Sequence, residues 1–298
     1  MRQGQPLFKR QTQGSVLCPS CGYLVGVRDE QCFHCGRRHP GLFGFGAVIR
    51  ALGRDMGFVS LVIGSCTLLF IATILVNPEG IQSGGLLNFL SPSDRAVILF
   101  GASGQFPVFQ LGHFWTVLSA GWLHGGILHI VFNMMAVRSF APPTADCYGA
   151  GRTVIIYTVA SATGFIFSSG VNQLLPFVPM GFLLGFLHLG GAELTLGASA
   201  GIAGLMGALL YYGRRTGSRI IREQIVGYAI TLAVFGLVVR GVDNQAHLGG
   251  FLGGYLTARF LDPLKPERGD HIIGAIVCLV LTAISIAASV LTGLRLLS

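Results

Sequence analysis

The sequence predicts an all-α polytopic membrane protein preceded by a small cysteine-bearing module, and three observations carry that prediction. Of 298 residues, 52% are hydrophobic and only 11% charged, against about 25% charged in a soluble domain. The apolar residues run in long stretches: Met56–Val76 holds no charged residue, enough to cross a hydrocarbon core of roughly 30 Å. Glycine occurs 44 times, about twice its usual frequency. In water that would weaken helices, whereas in lipid it lets them approach closely.

Taken in chain order, residues 1–40 form a polar module, 41–55 a linker containing Gly and Arg, 56–262 the main membrane domain, and 263–298 an additional C-terminal helix. Cys18-Pro-Ser-Cys21-Gly and Cys32-Phe-His-Cys35-Gly are two CxxC knuckles separated by ten residues. Four thiolates in two such pairs surround Zn²⁺ tetrahedrally, and the Gly after each pair permits a sharp turn. The separation is shorter than the usual range of about 15–20, so a minimal zinc ribbon is expected. A structural Zn²⁺ would be its main source of fold. Paired disulfides or an iron site are the competing uses, and a cytoplasmic position disfavours disulfides. Cys66, Cys147 and Cys278 are isolated and read as small hydrophobes. The linker run Gly41–Gly46, with Phe43 and Phe45, reads equally as an interfacial anchor or a spacer.

Seven spans are expected, near 57–76, 113–137, 153–172, 194–213, 223–240, 244–261 and 271–293. The net charge of +8 is explained by where the basic residues fall. One side of the membrane collects Arg28, Arg37, Arg38, Arg50, Arg54, Arg138, Arg152, Arg214, Arg215, Arg219, Arg222, Arg259, Lys265 and Arg268; the other holds little beyond Arg95, Arg240 and Arg295. Cytoplasmic segments carry the excess of Lys and Arg. The expectation is therefore a cell-membrane protein with its N-terminus cytoplasmic and its C-terminus outside, the bilayer as its solvent and no nucleic-acid partner. Residues 1–40 are polar, so the first span is expected to act as its own insertion signal. The outer loop 77–112 is long, hydrophobic and rich in Gly, Ser and Pro, and loops of that length usually serve a function. Leu174–Gly191, broken by Pro176 and Pro179, is expected to dip into the outer leaflet without spanning.

Polar residues inside spans are expensive, so each is a functional candidate. The second span carries His124, His129 and Asn133; the fourth opens with Gly197-Ala198-Ser199-Ala200-Gly201; the sixth opens with Asn244-Gln245-Ala246-His247. These spans run in the same direction, and at about 1.5 Å per residue Ser199 and His247 reach a similar depth about one turn below the outer face. His129 and Asn133, four apart, share a helical face. Gly197/Gly201 and Gly250/Gly254 are small-xxx-small pairs that permit close helix contact. An imidazole activates a serine hydroxyl by taking its proton and returns it to the leaving amine. The oxyanion then needs donors, for which His129, the Asn133 amide and backbone N–H groups near Ser199 are suited. Taken alone, Ser in a Gly/Ala-rich helix serves packing, and Gly-x-Ser-x-Gly without a preceding strand is a weak signal; the conjunction carries the argument. His124 reads as a hydrogen-bonding strut near the outer surface, and Asp243 as a cap for the sixth helix.

At these residues the chain resembles the rhomboid family of intramembrane serine proteases. Trp115, the run His124-Gly-Gly-Ile-Leu-His129-Ile-Val-Phe-Asn133, Gly197-Ala-Ser199 and His247-Leu-Gly-Gly250-Phe-Leu-Gly-Gly254 stand in the family's order and spacing over roughly 56–262. The resemblance implies a six-helix catalytic core plus one C-terminal helix, with Ser199 as nucleophile, His247 as base, and His129 and Asn133 at the oxyanion. It also implies that 77–112 is a partly submerged loop. Three positions depart from the family pattern: Thr116 where Arg often follows the Trp, Ala200 where Gly is commoner after the Ser, and Ala203 where an aromatic usually stacks on the His. The expected function is hydrolysis of peptide bonds in transmembrane protein substrates near the outer face. No catalytic cofactor is needed, and the ribbon is available for a cytoplasmic partner. A non-cleaving scaffold that binds transmembrane segments is the alternative, and a proton-coupled transporter using the histidines is the third.

Overall fold

The computed structural model describes residues 11–18, 21–44, 55–82, 89–177, 190–239 and 241–295. Most of the expected linker (45–54), most of the expected outer dip (178–189) and Arg240 lie outside them. A hairpin opens the described chain, β1 (Ser15–Leu17) pairing antiparallel with β2 (Leu24–Gly26), Val16 opposite Val25. The helices that follow are α1 (Phe58–Val76), α2 (Asp94–Phe100), α3 (Thr116–Ser119), α4 (Ile127–Tyr148), α5 (Ala150–Leu174), α6 (Ser199–Arg215), α7 (Arg219–Val238), α8 (Asn244–Phe260) and α9 (Gly269–Arg295).

Helices α1, α5, α7 and α9 are long and apolar enough to cross a membrane, and the bent pair 116–122 plus 127–148 adds a fifth span. With α6 and α8, 17 residues each, the described residues hold seven helices of 17 residues or more, and the chain is a multi-pass membrane protein. Large apolar side chains line its outer surface, among them Leu68 and Leu75 on α1 and Ile230 and Val238 on α7. That arrangement suits lipid as the solvent, where the helices satisfy the backbone polar groups internally.

Two expected spans differ in form. The second, 113–137, is not one straight helix: the chain turns by 92° between Trp122 and Ile127, and α4 then continues to Tyr148. Leu123 is extended and the Gly125-Gly126 pair resists helix formation, so the helix restarts after them. His124 consequently sits in the break. The fourth, expected from 194, starts at Ser199 because Gly197 has φ +127°, which no continuing helix adopts. The described part of the expected outer loop, between α1 and α3, holds α2, an isolated bridge between Gln82 and Ser91, and a turn over 106–110.

The centre of the bundle is α5, α6 and α8, packed through missing side chains. A Cβ at Gly250 would collide with the Ala200 carbonyl, one at Gly254 with the Gly204 carbonyl, and one at Gly204 with Ala160. Tyr148 on α4 ties in by donating to the Ala208 carbonyl at 2.9 Å. At the start of α5, Arg152 does more than carry charge. Its guanidinium donates to the Leu261 and Asp262 carbonyls at 2.9 and 2.8 Å, satisfying the C-terminus of α8. Glu267 in turn accepts the Arg152 N–H at 3.0 Å, at the N-terminus of α5. Asp243 caps the N-terminus of α8 by accepting from Ala246 N–H at 2.9 Å.

Replacing Gly254 by Ala drives a methyl group into the Gly204 backbone and is expected to cost about 1–3 kcal/mol. Gly227→Ala, on α7 with nothing within 4 Å of the new Cβ, is expected to gain about 0.5–1 kcal/mol. Unfolding in detergent, monitored by circular dichroism, checks both signs.

Candidate functional site

Ser199 is the first residue of α6 and His247 the fourth of α8, and the glycine contact between these helices brings their side chains together. His247 Nε2 lies 2.8 Å from Ser199 Oγ, within the range of a proton-transferring hydrogen bond. For Nε2 to accept, the proton must sit on Nδ1. That atom is buried and has no hydrogen-bond partner among the described residues. Asp243 does not orient the imidazole: its carboxylate takes the Ala246 N–H and the Ser168 hydroxyl, the latter at 2.6 Å. Among the described residues the Ser199–His247 pair therefore has no third member.

Donors gather on the other side of Ser199. The first helical bond of α6 runs from Ile202 N–H to the Ala198 carbonyl, so the N–H groups of the preceding turn point towards the site at the positive end of the helix. His129 Nδ1 accepts from Gly125 N–H at 3.3 Å, which leaves the proton on Nε2. That Nε2 packs against Gly197, where an added Cβ would lie 2.7 Å from it and 3.8 Å from Ser199 Oγ. Glycine at 197 thus serves two needs, a left-handed backbone and room for the imidazole tip. Asn133 is close by in sequence, but one N–H of its amide is spent on the His129 carbonyl at 2.8 Å, and its Oδ1 is buried without a partner.

His124 is not the hydrogen-bonding strut the sequence suggested. It is 1% exposed, and neither ring nitrogen has a partner among the described residues. Its ring meets that of His129 edge-on at 5.2 Å, so it contributes shape behind that residue. Thr116, where an Arg was the family expectation, is fully buried and donates to the His113 carbonyl at 2.8 Å. Tyr157 escaped sequence reasoning. It is wholly buried, and Gly201, two residues past Ser199, rests on its ring, where a Cβ would come within 2.7 Å. One aromatic among 21 Phe and 7 Tyr carries no local signal of such a position.

At the other end of the sequence, Cys18, Cys21, Cys32 and Cys35 converge, all four sulfurs within 4.8 Å of one another. The knuckles are built alike: Gly22 N–H returns to the Cys18 carbonyl and Gly36 N–H to the Cys32 carbonyl, each at 2.8 Å, with φ of +72° and +73°. Sulfurs tetrahedrally placed on Zn²⁺ at about 2.3 Å lie about 3.8 Å apart; the Cys18–Cys35 and Cys21–Cys32 separations are both 3.7 Å. The set therefore fits a tetrahedral thiophilic ion, and it lies too far apart for S–S bonds of about 2.05 Å. Burial opposes ionisation at both Cys32 and Cys35. At Cys32 the N–H groups of Cys35 and His34 outweigh it and bring the thiol down to about 7, whereas at Cys35 burial prevails and holds it up at about 12. A bound cation must supply the remaining driving force for deprotonation.

Comparison with known proteins returns one family. The rhomboid domain model matches residues 111–263. "Rhomboid protease GluP" of Bacillus subtilis (strain 168) is 31% identical over 199 residues, 65% of this chain and 35% of that protein. "RHOMBOID-like protein 6, mitochondrial" of Arabidopsis thaliana is 31% identical over 188 residues, 61% of this chain and 54% of that protein. "Putative rhomboid protease YdcA" of Bacillus subtilis (strain 168) is 28% identical over 166 residues, 53% of this chain and 71% of that protein. The chain thus spans about a third to a half of the length of the first two.

Because only thiolates bind the ion, protons compete with it. Metal content is expected to be highest at neutral and alkaline pH and to fall on acidification, and Cys21→Ser is expected to abolish stoichiometric metal at every pH. Elemental analysis of the purified protein across a pH series checks both.

Proposed function

The chain belongs to the rhomboid family, and on that premise we propose that it is an intramembrane serine endopeptidase cutting transmembrane segments of other membrane proteins near the outer face. The observation that carries this reading is the 2.8 Å contact between Ser199 Oγ and His247 Nε2, built across two helices and flanked by donors where an oxyanion would form. In this reading His247 takes the Ser199 proton as the hydroxyl attacks the scissile carbonyl. The His129 Nε2–H and the N–H groups at the start of α6 receive the developing negative charge. The imidazolium then gives its proton to the leaving amine, and a water activated by the same imidazole releases the acyl-enzyme. Asn133 contributes through its second amide N–H, with the first spent on its own helix.

A helical substrate hides its carbonyls in hydrogen bonds, so substrates should be locally unwound, with Gly, Ala, Ser or Pro near the cut. Such a segment reaches the dyad from the bilayer, and α7, which buries only Ile225 and Gly236 of its 20 residues, is the helix whose displacement disturbs least packing. The four-cysteine module holds Zn²⁺ structurally on the cytoplasmic side of the cell membrane, opposite to the chemistry, and is available to a cytoplasmic partner.

The test is cleavage of a fluorescent single-span substrate by the protein in liposomes. Ser199→Ala is expected to abolish cleavage and fluorophosphonate labelling together, and His247→Ala to slow labelling by about 10²–10⁴-fold. His129→Ala is expected to lower kcat by about 10²–10³-fold with little change in KM. A folded wild-type protein that neither cuts nor labels would favour the non-cleaving scaffold. Segments carrying Gly or Pro should be cut in preference to poly-Leu, and equal rates would refute the unwinding requirement.

A further inference from the structure

The C-terminal helix α9 is absent from the dyad, yet it carries a buried polar seam that the proposed chemistry leaves unexplained. Ser285 and Ser289, four residues apart on one face, are 2% and 3% exposed. Ser285 Oγ donates to the Trp115 carbonyl at 2.6 Å, Trp115 Nε1 donates to Ser289 Oγ at 3.0 Å, and Ser289 Oγ donates back to the Ser285 carbonyl at 3.0 Å. Trp115 is thus held at both its backbone and its indole, and its ring stacks on His113 at 4.7 Å. Ser289 also packs against Gly101, where a Cβ would lie 2.5 Å from its oxygen. Buried hydroxyls in a lipid-facing helix are costly unless paired, and beyond α9 itself this pairing is with Trp115.

From that loop the contacts lead to the nucleophile. Ser119 Oγ donates to the Gly101 carbonyl at 2.8 Å, and Thr116 Oγ1 lies 3.3 Å from Ser103 Oγ. Ser103 and Thr195 exchange backbone bonds at 2.9 and 2.7 Å, Gln105 N–H reaches the Ala192 carbonyl at 3.0 Å, and Gly197 N–H reaches the Ala120 carbonyl at 2.9 Å. Each of these residues but Gln105 and Ala192, which are half-buried, is buried. Residues 101–105 and 115–120 therefore form the wall on which the segment 192–198, leading into Ser199, is laid.

We propose that α9 positions the catalytic site: Ser285 and Ser289 anchor the Trp115 loop, and through it fix the segment that sets Ser199 against His247. This rests on the proteolytic reading above. Ser285 and Ser289 are positioning residues, since neither touches the dyad.

The experiment compares wild type, Ser285→Ala/Ser289→Ala, Ser289→Thr and Thr282→Val. Thr282 is an internal control on the same helix, 3% exposed, with a hydroxyl that bonds only the Cys278 carbonyl of its own turn. Two readouts are taken, cleavage kinetics in liposomes and fluorine NMR of fluorotryptophan-labelled protein. The two Trp residues give two resonances, assigned with Trp115→Phe. The double variant should move the Trp115 resonance, lower kcat by about tenfold to a hundredfold and leave KM within about twofold of wild type. Ser289→Thr should restore most of the loss, and Thr282→Val should match wild type. An unmoved Trp115 resonance would show that α9 does not hold the loop, and a moved resonance with unchanged kcat would show that the loop does not position Ser199; either overturns the proposal. If the double variant does not fold, Trp115→Phe, which removes only the indole donor, carries the same kinetic test. A wild-type protein that neither cuts nor labels overturns the proteolytic reading and the positioning claim together, while the resonance shift separately decides whether α9 holds Trp115.

Discussion

Helices α6 and α8 meet backbone to backbone, and the arrangement of the site follows from that contact. Gly250 lies on the Ala200 carbonyl, Gly254 on the Gly204 carbonyl, and Gly207 on the Phe251 carbonyl. In lipid there is no hydrophobic force to draw two helices together, so close van der Waals approach and weak Cα–H contacts take its place. Because Ser199 and His247 project from the N-terminal ends of these same helices, the glycine interface brings the two side chains to one place.

The same interior carries polar atoms that the packing does not satisfy. His247 Nδ1, both nitrogens of His124, Asn133 Oδ1 and the Tyr157 hydroxyl are buried without partners among the described residues. An unpaired buried polar group typically costs about 1–3 kcal/mol. Ser91, Ser161 and Ser169 carry buried hydroxyls without partners among the described residues as well, while others, such as those of Thr144, Thr153 and Thr257, return to carbonyls of their own helices.

The sequence made some of this legible and hid the rest for identifiable reasons. The knuckles Cys18–Cys21 and Cys32–Cys35 are short-range patterns with one dominant chemical use, so four sulfurs at metal spacing were readable. Ser199 and His247 were readable because an ionisable residue in a hydrophobic run stands out and because depth can be counted along helices. The 92° turn at Leu123–Gly126 was not, since hydropathy averages over a break of four residues. His124 misled because a buried polar residue is expected to find a partner, and among the described residues this one has none. Arg152 looked like one more topological charge, and only the fold shows it closing the end of α8. Ser285, Ser289 and Tyr157 act through contacts distant in sequence, and no local pattern marks them.

The separation between Trp115 and its partners has a consequence for biogenesis. Trp115 and Ser289 are 174 residues apart, and at about 5–20 residues per second roughly 10–35 s of synthesis pass between them. Until α9 has been made and inserted, the Trp115 segment lacks both of its bonds to that helix. Ser289 follows His247 by 42 residues, so roughly 2–8 s pass in which Ser199 and His247 are both translated while Trp115 is still unanchored. If α9 governs their alignment, a chain stalled in that interval holds the two side chains without the contact that sets them against each other.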